Sequence, residues 1–229
     1  MTDTPTVPDY LRHIHVVLTR TSHPGNIGAA ARAMKTMGLS RLTLVAPNLM
    51  ATPMTPEPPT FDAAQAAAFR LPEESFILAS GARDVLEQAQ IVATLDEALA
   101  DTVLSCALTS RRRELTSPLQ TPRELTPSLL AAAQAGQTVA LVFGNETFGL
   151  SIDEVQHCNR LMTISGNPDY FSLNLAQAVQ GQIWRDCRSM CAALSDSFPL
   201  IGEAVGSGNN VLAQEVSRIA ILHASFFGI

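Results

Sequence analysis

Val139-Ala140-Leu141-Val142-Phe143 runs directly into Gly144-Asn145-Glu146-Thr147-Phe148-Gly149-Leu150-Ser151. An unbroken apolar run of strand-forming residues is the pattern of a strand buried on both faces of a parallel sheet. It stops at a loop holding two glycines and one carboxylate. Gly144 lets the backbone leave the strand at an angle other residues resist, and lets a ligand approach the main chain closely. Ligands in open α/β sheets gather outside the carboxyl ends of strands, which makes Glu146 a site candidate. A tight turn in which Glu146 only caps the next segment accounts for the same residues.

Outward from this stretch, strand-type and helix-type runs alternate. Ile14–Leu18 reads as a strand, Ile27–Met37 as a helix closed by Gly38, and Leu42–Ala46 as a strand closed by Pro47. The segment that follows carries Pro53, Pro56, Pro58 and Pro59 and is too proline-rich for regular structure. Ala-rich Asp62–Arg70 reads as a short helix, and Ile91–Ala93 and Val103–Leu108 as strands flanking a helix at Asp96–Ala100. Thr121-Pro122-Arg123-Glu124 is a capping box that opens a helix toward Gln134. A short helix at Ile152–His157 and a short strand at Leu161–Ile164 come next. Ser172–Leu194 is the clearest helix, with Ala176, Val179, Ile183, Cys187, Met190 and Leu194 in one apolar stripe. Residues 195–210 read as a linker and Val211–Phe227 as a last amphipathic helix. The pattern predicts an α/β fold, a mostly parallel sheet with helices on both faces. Its organisation is a flexible arm at 1–12, one domain at 13–194, and a linker and C-terminal helix at 195–229.

The 229 residues, 46% of them hydrophobic, suffice for a sizeable core. No run approaches the ~18 apolar residues of a membrane span and no leader pattern is visible, so the expectation is a cytoplasmic protein without a membrane partner. Cys106, Cys158, Cys187 and Cys191 form no CxxC pair and have no metal-ligand spacing with the five histidines, so no metal is expected. A net charge of −6 argues mildly against a polyanionic partner. The charge is uneven, however: residues 57–97 hold eight acids against Arg70 and Arg83, whereas residues 1–48 hold five bases against Asp3 and Asp9. Arg111, Arg112 and Arg113 form the densest basic run, and fourteen of fifteen basic residues are arginine, the side chain suited to phosphates and bases.

Two further loops follow predicted strands. Thr19-Arg20-Thr21-Ser22-His23-Pro24-Gly25-Asn26 leads into a helix that Asn26 can cap, where exposed N–H groups favour an anion. On that helix Gly28, Arg32 and Lys35 share one face while Ile27, Ala30, Ala31 and Met34 face the core. Two cations on one face are most often a solvated surface; the functional reading is a phosphate or RNA contact, with Arg32 close to the strand ends. The other loop, Ile164 to Phe171, enters a helix at Ser172, a favoured cap residue. Asn174, two positions into that helix, is odd for packing but useful if its amide reaches back to a loop.

The blocks NIGAAARAMKTMG (26–38), LVFGNETFGLS (141–151) and SLNLAQAVQ (172–180) resemble the three motifs of the SPOUT-class, TrmH-type RNA ribose 2′-O-methyltransferases. TSHPGNIGAAARAMKTMGLSRLTLVAP and NPDYFSLNLAQAVQ are most similar to the tRNA enzymes of that class that act on nucleotide 32 of the anticodon loop. The resemblance covers roughly residues 12–194. It implies methyl transfer from S-adenosylmethionine to the 2′-hydroxyl of cytidine or uridine. It also implies a C-terminal trefoil knot, and a homodimer with the active site at the dimer interface. By resemblance, Thr109, Ser110, Arg111, Gly144, Ile164, Phe171, Ser172 and Leu173 bind the cofactor, with Asn174 supporting the loop. Arg32 is the catalytic residue, assisted by Asn26, Glu146 and Ser172. A guanidinium stays protonated in ordinary settings, so Arg32 either acts as a base in unusual surroundings or orients the hydroxyl and stabilises its developing charge.

Two stretches depart from the family pattern. The acidic, proline-rich region at about 48–76 is longer than usual and is expected to lie away from the active face. The tail after Leu194 is less basic than in the tRNA enzymes, which leaves its grip on whole tRNA open. Three other readings compete: a ribosomal RNA methyltransferase, a non-catalytic RNA-binding homologue, and a nicotinamide-dependent oxidoreductase. The last is weakened because Gly25-Asn26-Ile27-Gly28 lacks the GxGxxG pattern.

Overall fold

Six consecutive buried residues, Ile14–Thr19, form β1 near the middle of a seven-stranded sheet. The computed structural model describes residues 7–49, 60–109, 118–163 and 173–181. β1 pairs in parallel with β2 (Arg41–Val45) on one side and β6 (Thr138–Phe143) on the other. β3 (Gln90–Val92) lies outside β2. Beyond β6 come β4 (Thr102–Leu108), β7 (Arg160–Met162) and β5 (Leu119–Gln120). Every one of these pairings is parallel and the order is β3-β2-β1-β6-β4-β7-β5. The unbroken apolar runs of β1 and β6 are explained by this position, with neighbours on both edges and cover on both faces.

Among the described residues seven helices join these strands: α1 (Pro24–Thr36), α2 (Ala63–Ala68), α3 (Glu73–Ala79), α4 (Arg83–Glu87), α5 (Leu95–Leu99), α6 (Pro122–Gln134) and α7 (Ile152–Gln156). Residues 175–181 are helical as well. On one face of the sheet, Val17, Val45, Ala107, Ala140, Val142 and Leu161 pack with Leu95 and Ala98 of α5, Val155 of α7 and the loop residue Leu150. Strand alternation sends Val16 and Leu18 to the opposite face. The buried stripe of α1 (Ile27, Ala30, Ala31, Met34) falls outside that cluster, which leaves the opposite face for α1.

The fold class follows the expectation, and several boundaries differ for identifiable reasons. α1 begins at Pro24, about one turn before Ile27, because proline suits the first helical position. On the face shared by Gly28, Arg32 and Lys35 the two cations are exposed, while Gly28 packs closely on α3. A Cβ on Gly28 would sit 2.1 Å from the Ser75 carbonyl oxygen of α3, and Lys35 Nζ donates to Gly81 O and Asp84 Oδ1. The segment 73–87, which shows no helical period in the sequence, forms α3, a 3-10 turn at Ser80–Ala82 and α4, broken where Ser80 takes φ 52°. The two-residue β5 is a further strand that no sequence pattern announces.

Residues 9–13, largely within the expected flexible arm, form a 3-10 turn with Leu11 buried. The chain divides into two compact units, 1–187 and 188–229, and all described residues belong to the first. Most of the proline-rich segment, the C-terminal part of the helix expected at Ser172–Leu194, the linker and the last helix lie outside the described residues.

Buried polarity is sparse in this sheet. His15 of β1 is fully buried with Nε2 2.7 Å from Thr43 Oγ1. Burial, with a smaller contribution from the Arg41 charge, pushes its pKa down to about 4. Among the described residues no helix is long and apolar enough to cross a membrane.

Candidate functional site

Because β1 and β6 are neighbours in parallel, the loops after Thr19 and after Phe143 leave the sheet side by side. Glu146 bridges them. Its Oε2 accepts from the Ser22 backbone amide and hydroxyl, both at 3.0 Å, and its Oε1 accepts from His23 N at 3.3 Å and Asn26 Nδ2 at 3.0 Å. A carboxylate has about four acceptor sites. All four are engaged here, so Glu146 holds the loop that opens α1.

Asn26 stands in the first turn of α1 and does not cap it: the residue before the helix is His23, which makes no side-chain cap bond. Its amide nitrogen serves Glu146, and its Oδ1 accepts from Asn174 Nδ2 at 2.9 Å. The helix expected to open at Ser172 instead begins at residue 175, and Asn174 is its cap. Asn174 Oδ1 accepts from Ala176 N and its carbonyl accepts from Ala178 N. Asn174 thus uses one end of its amide to start a helix and the other to reach the β1 loop, as its odd position suggested. In the described part of that helix Val179 is buried, as in the expected stripe, and Leu175 is buried where Ala176 was expected to begin it.

The structure therefore brings Asn26, Glu146 and Asn174 together in one hydrogen-bonded chain. Arg32 is exposed on α1, six residues past Asn26, which is about 9 Å along a helix axis. Thr109 directly follows β4, where its amide donates to Met162 O at 2.9 Å, next to the end of β6. Leu173 is half exposed beside Asn174. Gly144 also has a physical reason within its own loop. A Cβ there would lie 2.1 Å from Leu150 N and 2.2 Å from Gly149 C, so the close approach is by the loop's own backbone. Ser110, Arg111, Ile164, Phe171 and Ser172 lie outside the described residues.

Residues that the sequence pattern does not single out complete the loop. Asn145 Oδ1 accepts the amides of Thr147 and Phe148, and Asn145 Nδ2 donates to the Arg20 carbonyl at 2.7 Å. The Arg20 guanidinium meets Glu154 through Nε–Oε1 at 3.0 Å and Nη2–Oε2 at 2.6 Å. Burial raises the Glu154 pKa, but the bonds from Arg20 and from Ser151 N outweigh it and hold the carboxyl below its ordinary value. Arg20 and Ala46, at the ends of adjacent strands, both adopt positive φ, 49° and 43°. Strained backbone of this kind concentrates at functional sites.

The chain matches the SpoU rRNA Methylase family over residues 13–183. It is 46% identical over 171 residues to the tRNA (cytidine/uridine-2′-O-)-methyltransferase TrmJ of Salmonella typhimurium, a match covering 74% of this chain and 61% of that protein. The chain thus spans about three fifths of the length of the curated relatives it matches first. A methylase-family protein from Neisseria gonorrhoeae, 72% identical, superposes with a TM-score of 0.72 over 80% of this chain and 85% of that one. The crystal structure of TrmJ from Z. mobilis ZM4, 34% identical, superposes at 0.60 over 75% and 66%.

Proposed function

This chain belongs to the SpoU rRNA methylase family, and on that premise we propose that it methylates the ribose 2′-hydroxyl of a tRNA nucleotide. The nucleotide is cytidine or uridine 32 of the anticodon loop and the methyl donor is S-adenosylmethionine. The tRNA reading over the ribosomal one rests on the 46% identity to a relative named for cytidine and uridine of tRNA. The observation that carries the reading is the Glu146–Asn26–Asn174 chain, which ties all three motif blocks together at one set of strand ends.

The donor set fits S-adenosylmethionine. Backbone, the Thr109 hydroxyl and the exposed Leu173 side chain form the described part of the expected wall, and none of these is ionised. Such mixed apolar and hydrogen-bonding surface suits a purine and a thioether. Thr109, Gly144 and Leu173 would hold it, together with Ser110, Arg111, Ile164, Phe171 and Ser172, and Asn174 would brace the loop. When bound, it supplies an electrophilic methyl group on a sulfonium.

In-line displacement rewards positioning above all. Asn26 and Glu146 set the loops that define where the ribose sits, and Ser172 assists. Arg32 orients the hydroxyl and stabilises the negative charge that grows on it as its proton leaves to solvent, which a permanently charged guanidinium does well. Within one chain Arg32 stands about 9 Å along the helix from Asn26, a separation that supports a homodimer whose site is completed by the second copy. The working compartment is the cytoplasm.

The test is calorimetric binding of S-adenosylmethionine followed by methylation of tRNA transcripts mapped by nucleotide. Arg32→Ala is expected to lower turnover at least a hundredfold and leave cofactor affinity within about twofold, a loss of roughly 3 kcal/mol confined to the chemical step. Cofactor binding with no methylation of any tRNA refutes the reading.

A further inference from the structure

We propose that Arg20, paired with Glu154, is a positioning residue that sets the Gly144–Ser151 loop at the site. The proposal rests on the methyltransferase reading for its kinetic consequence, not for its geometry. Arg20 follows β1 directly and its backbone is held at both ends, with its amide donating to Val45 O at 2.8 Å and its carbonyl accepting from Asn145 Nδ2 at 2.7 Å. Its φ of 49° is a conformation that a residue with a Cβ adopts only under strain, and such strain persists only where the surroundings over-determine it.

The side chain supplies that determination. Two parallel bonds join the guanidinium to Glu154 of α7, and a third runs from Nη2 to the Gly149 carbonyl at 3.2 Å. Glu154 Oε2 also accepts from Ser151 N at 2.6 Å, closing the loop's far end. One residue therefore grips the loop near its start, through Asn145, and at its end, through Gly149 and Glu154. Between these anchors stand Glu146 and the turn in which Gly149 N returns to Asn145 O at 2.8 Å. The pair is largely shielded from water, with side chains 19% and 11% exposed, so its geometry is not loosened by solvent as a surface pair's would be. A planar fork matched to a carboxylate is also what lysine cannot reproduce.

The experiment uses the full chain and the variants Arg20→Gly, Arg20→Lys and Glu154→Gln. Glycine keeps the left-handed backbone at no steric cost, so Arg20→Gly removes the fork alone. Arg20→Lys keeps the charge and guards against loss of folding. Each variant should lower kcat for tRNA methylation at least tenfold with KM for tRNA unchanged. Each should also speed amide exchange at Thr147, Phe148 and Gly149 at least tenfold, while exchange in α6 stays at the wild-type rate. The Arg20→Lys/Glu154→Gln double variant should be no slower than the slower single. Arg41→Lys, which alters a different ion pair at the opposite ends of the strands, serves as the control with wild-type kcat. Wild-type kcat and wild-type loop exchange in the three variants, or multiplicative effects in the double, overturn the clamp. A wild-type protein that methylates no tRNA sinks the enzymatic reading instead, and the exchange rates then decide the clamp by themselves.

Discussion

Replacing Gly28 by alanine sets two effects of opposite sign against each other. Alanine is the better helix former by roughly 1 kcal/mol, so a solvent-facing glycine at this point of α1 would gain stability from the change. In this fold the added Cβ would lie 2.1 Å from the Ser75 carbonyl oxygen and 2.9 Å from the Ala79 amide nitrogen. Both are backbone atoms of α3, so no side chain can swing aside. Restoring ordinary contact at 3.4 Å requires α3 to retreat by about 1.3 Å, which lifts the fully buried Ser75 and Ala79 off α1. Overpacking of this kind costs ~1–3 kcal/mol, and the dispersion attraction forfeited beneath α3 adds to it. After the propensity gain the net loss is about 1–2 kcal/mol, which for a chain of this size lowers Tm by roughly 2–8 °C. Thermal melts followed by circular dichroism read this directly. The paired control is Gly81→Ala, where nothing lies within 4 Å of the new Cβ and φ is ordinary, so Tm should hold or rise slightly. A Gly28→Ala protein that melts at or above the wild type refutes the argument.

Glu146→Gln offers one acceptor oxygen to four donors and turns its own NH2 toward them. It should cost ~1–3 kcal/mol in urea unfolding, and an unchanged midpoint would show that the four bonds are not needed. His15 titrates near 6.5 in an unfolded chain and at about 4 when folded, so the unfolded state takes up the proton first as pH falls. Its contribution is complete above pH 6.5 and drains away toward pH 4, to a total of roughly 3 kcal/mol. Urea unfolding of wild type and His15→Gln at pH 7, 5 and 4 should show a steeper acid loss for the wild type, and parallel curves would refute the assignment.

What is legible in the sequence, and what is not, divides along sequence separation. β1 and β6 are legible because burial on both faces leaves a continuous apolar run. The helical segment 73–87 is not, because Ser80 and Gly81 cut it into pieces too short to show a period. The two-residue β5 is below any pattern. Asn26, Glu146 and Asn174 each stand out singly as polar residues at strand ends or near a helix start. Their mutual bonds span 120 and 148 residues, and only the strand order makes them neighbours. Ser172 and Asn174 are equally suited cap residues by type, and where the first helical bond falls decides between them. Arg20 counts in the sequence only as one charge among five in a basic segment; nothing local announces a partner 134 residues away.

The order of strands also constrains the order in which the sheet can assemble. Among the described residues β5 pairs with β7 alone, and β7 fills the place between β4 and β5, both of which precede it in the chain. A chain emerging from the ribosome can assemble β3-β2-β1-β6-β4 once Phe143 is out. β5, made earlier than β6, has no partner until Met162 appears. The far edge of the sheet is thus laid down as a slot and filled afterwards, by a closure over about forty residues that is entropically cheap but kinetically late. Thr109, whose amide is held by the Met162 carbonyl, is therefore among the residues fixed last.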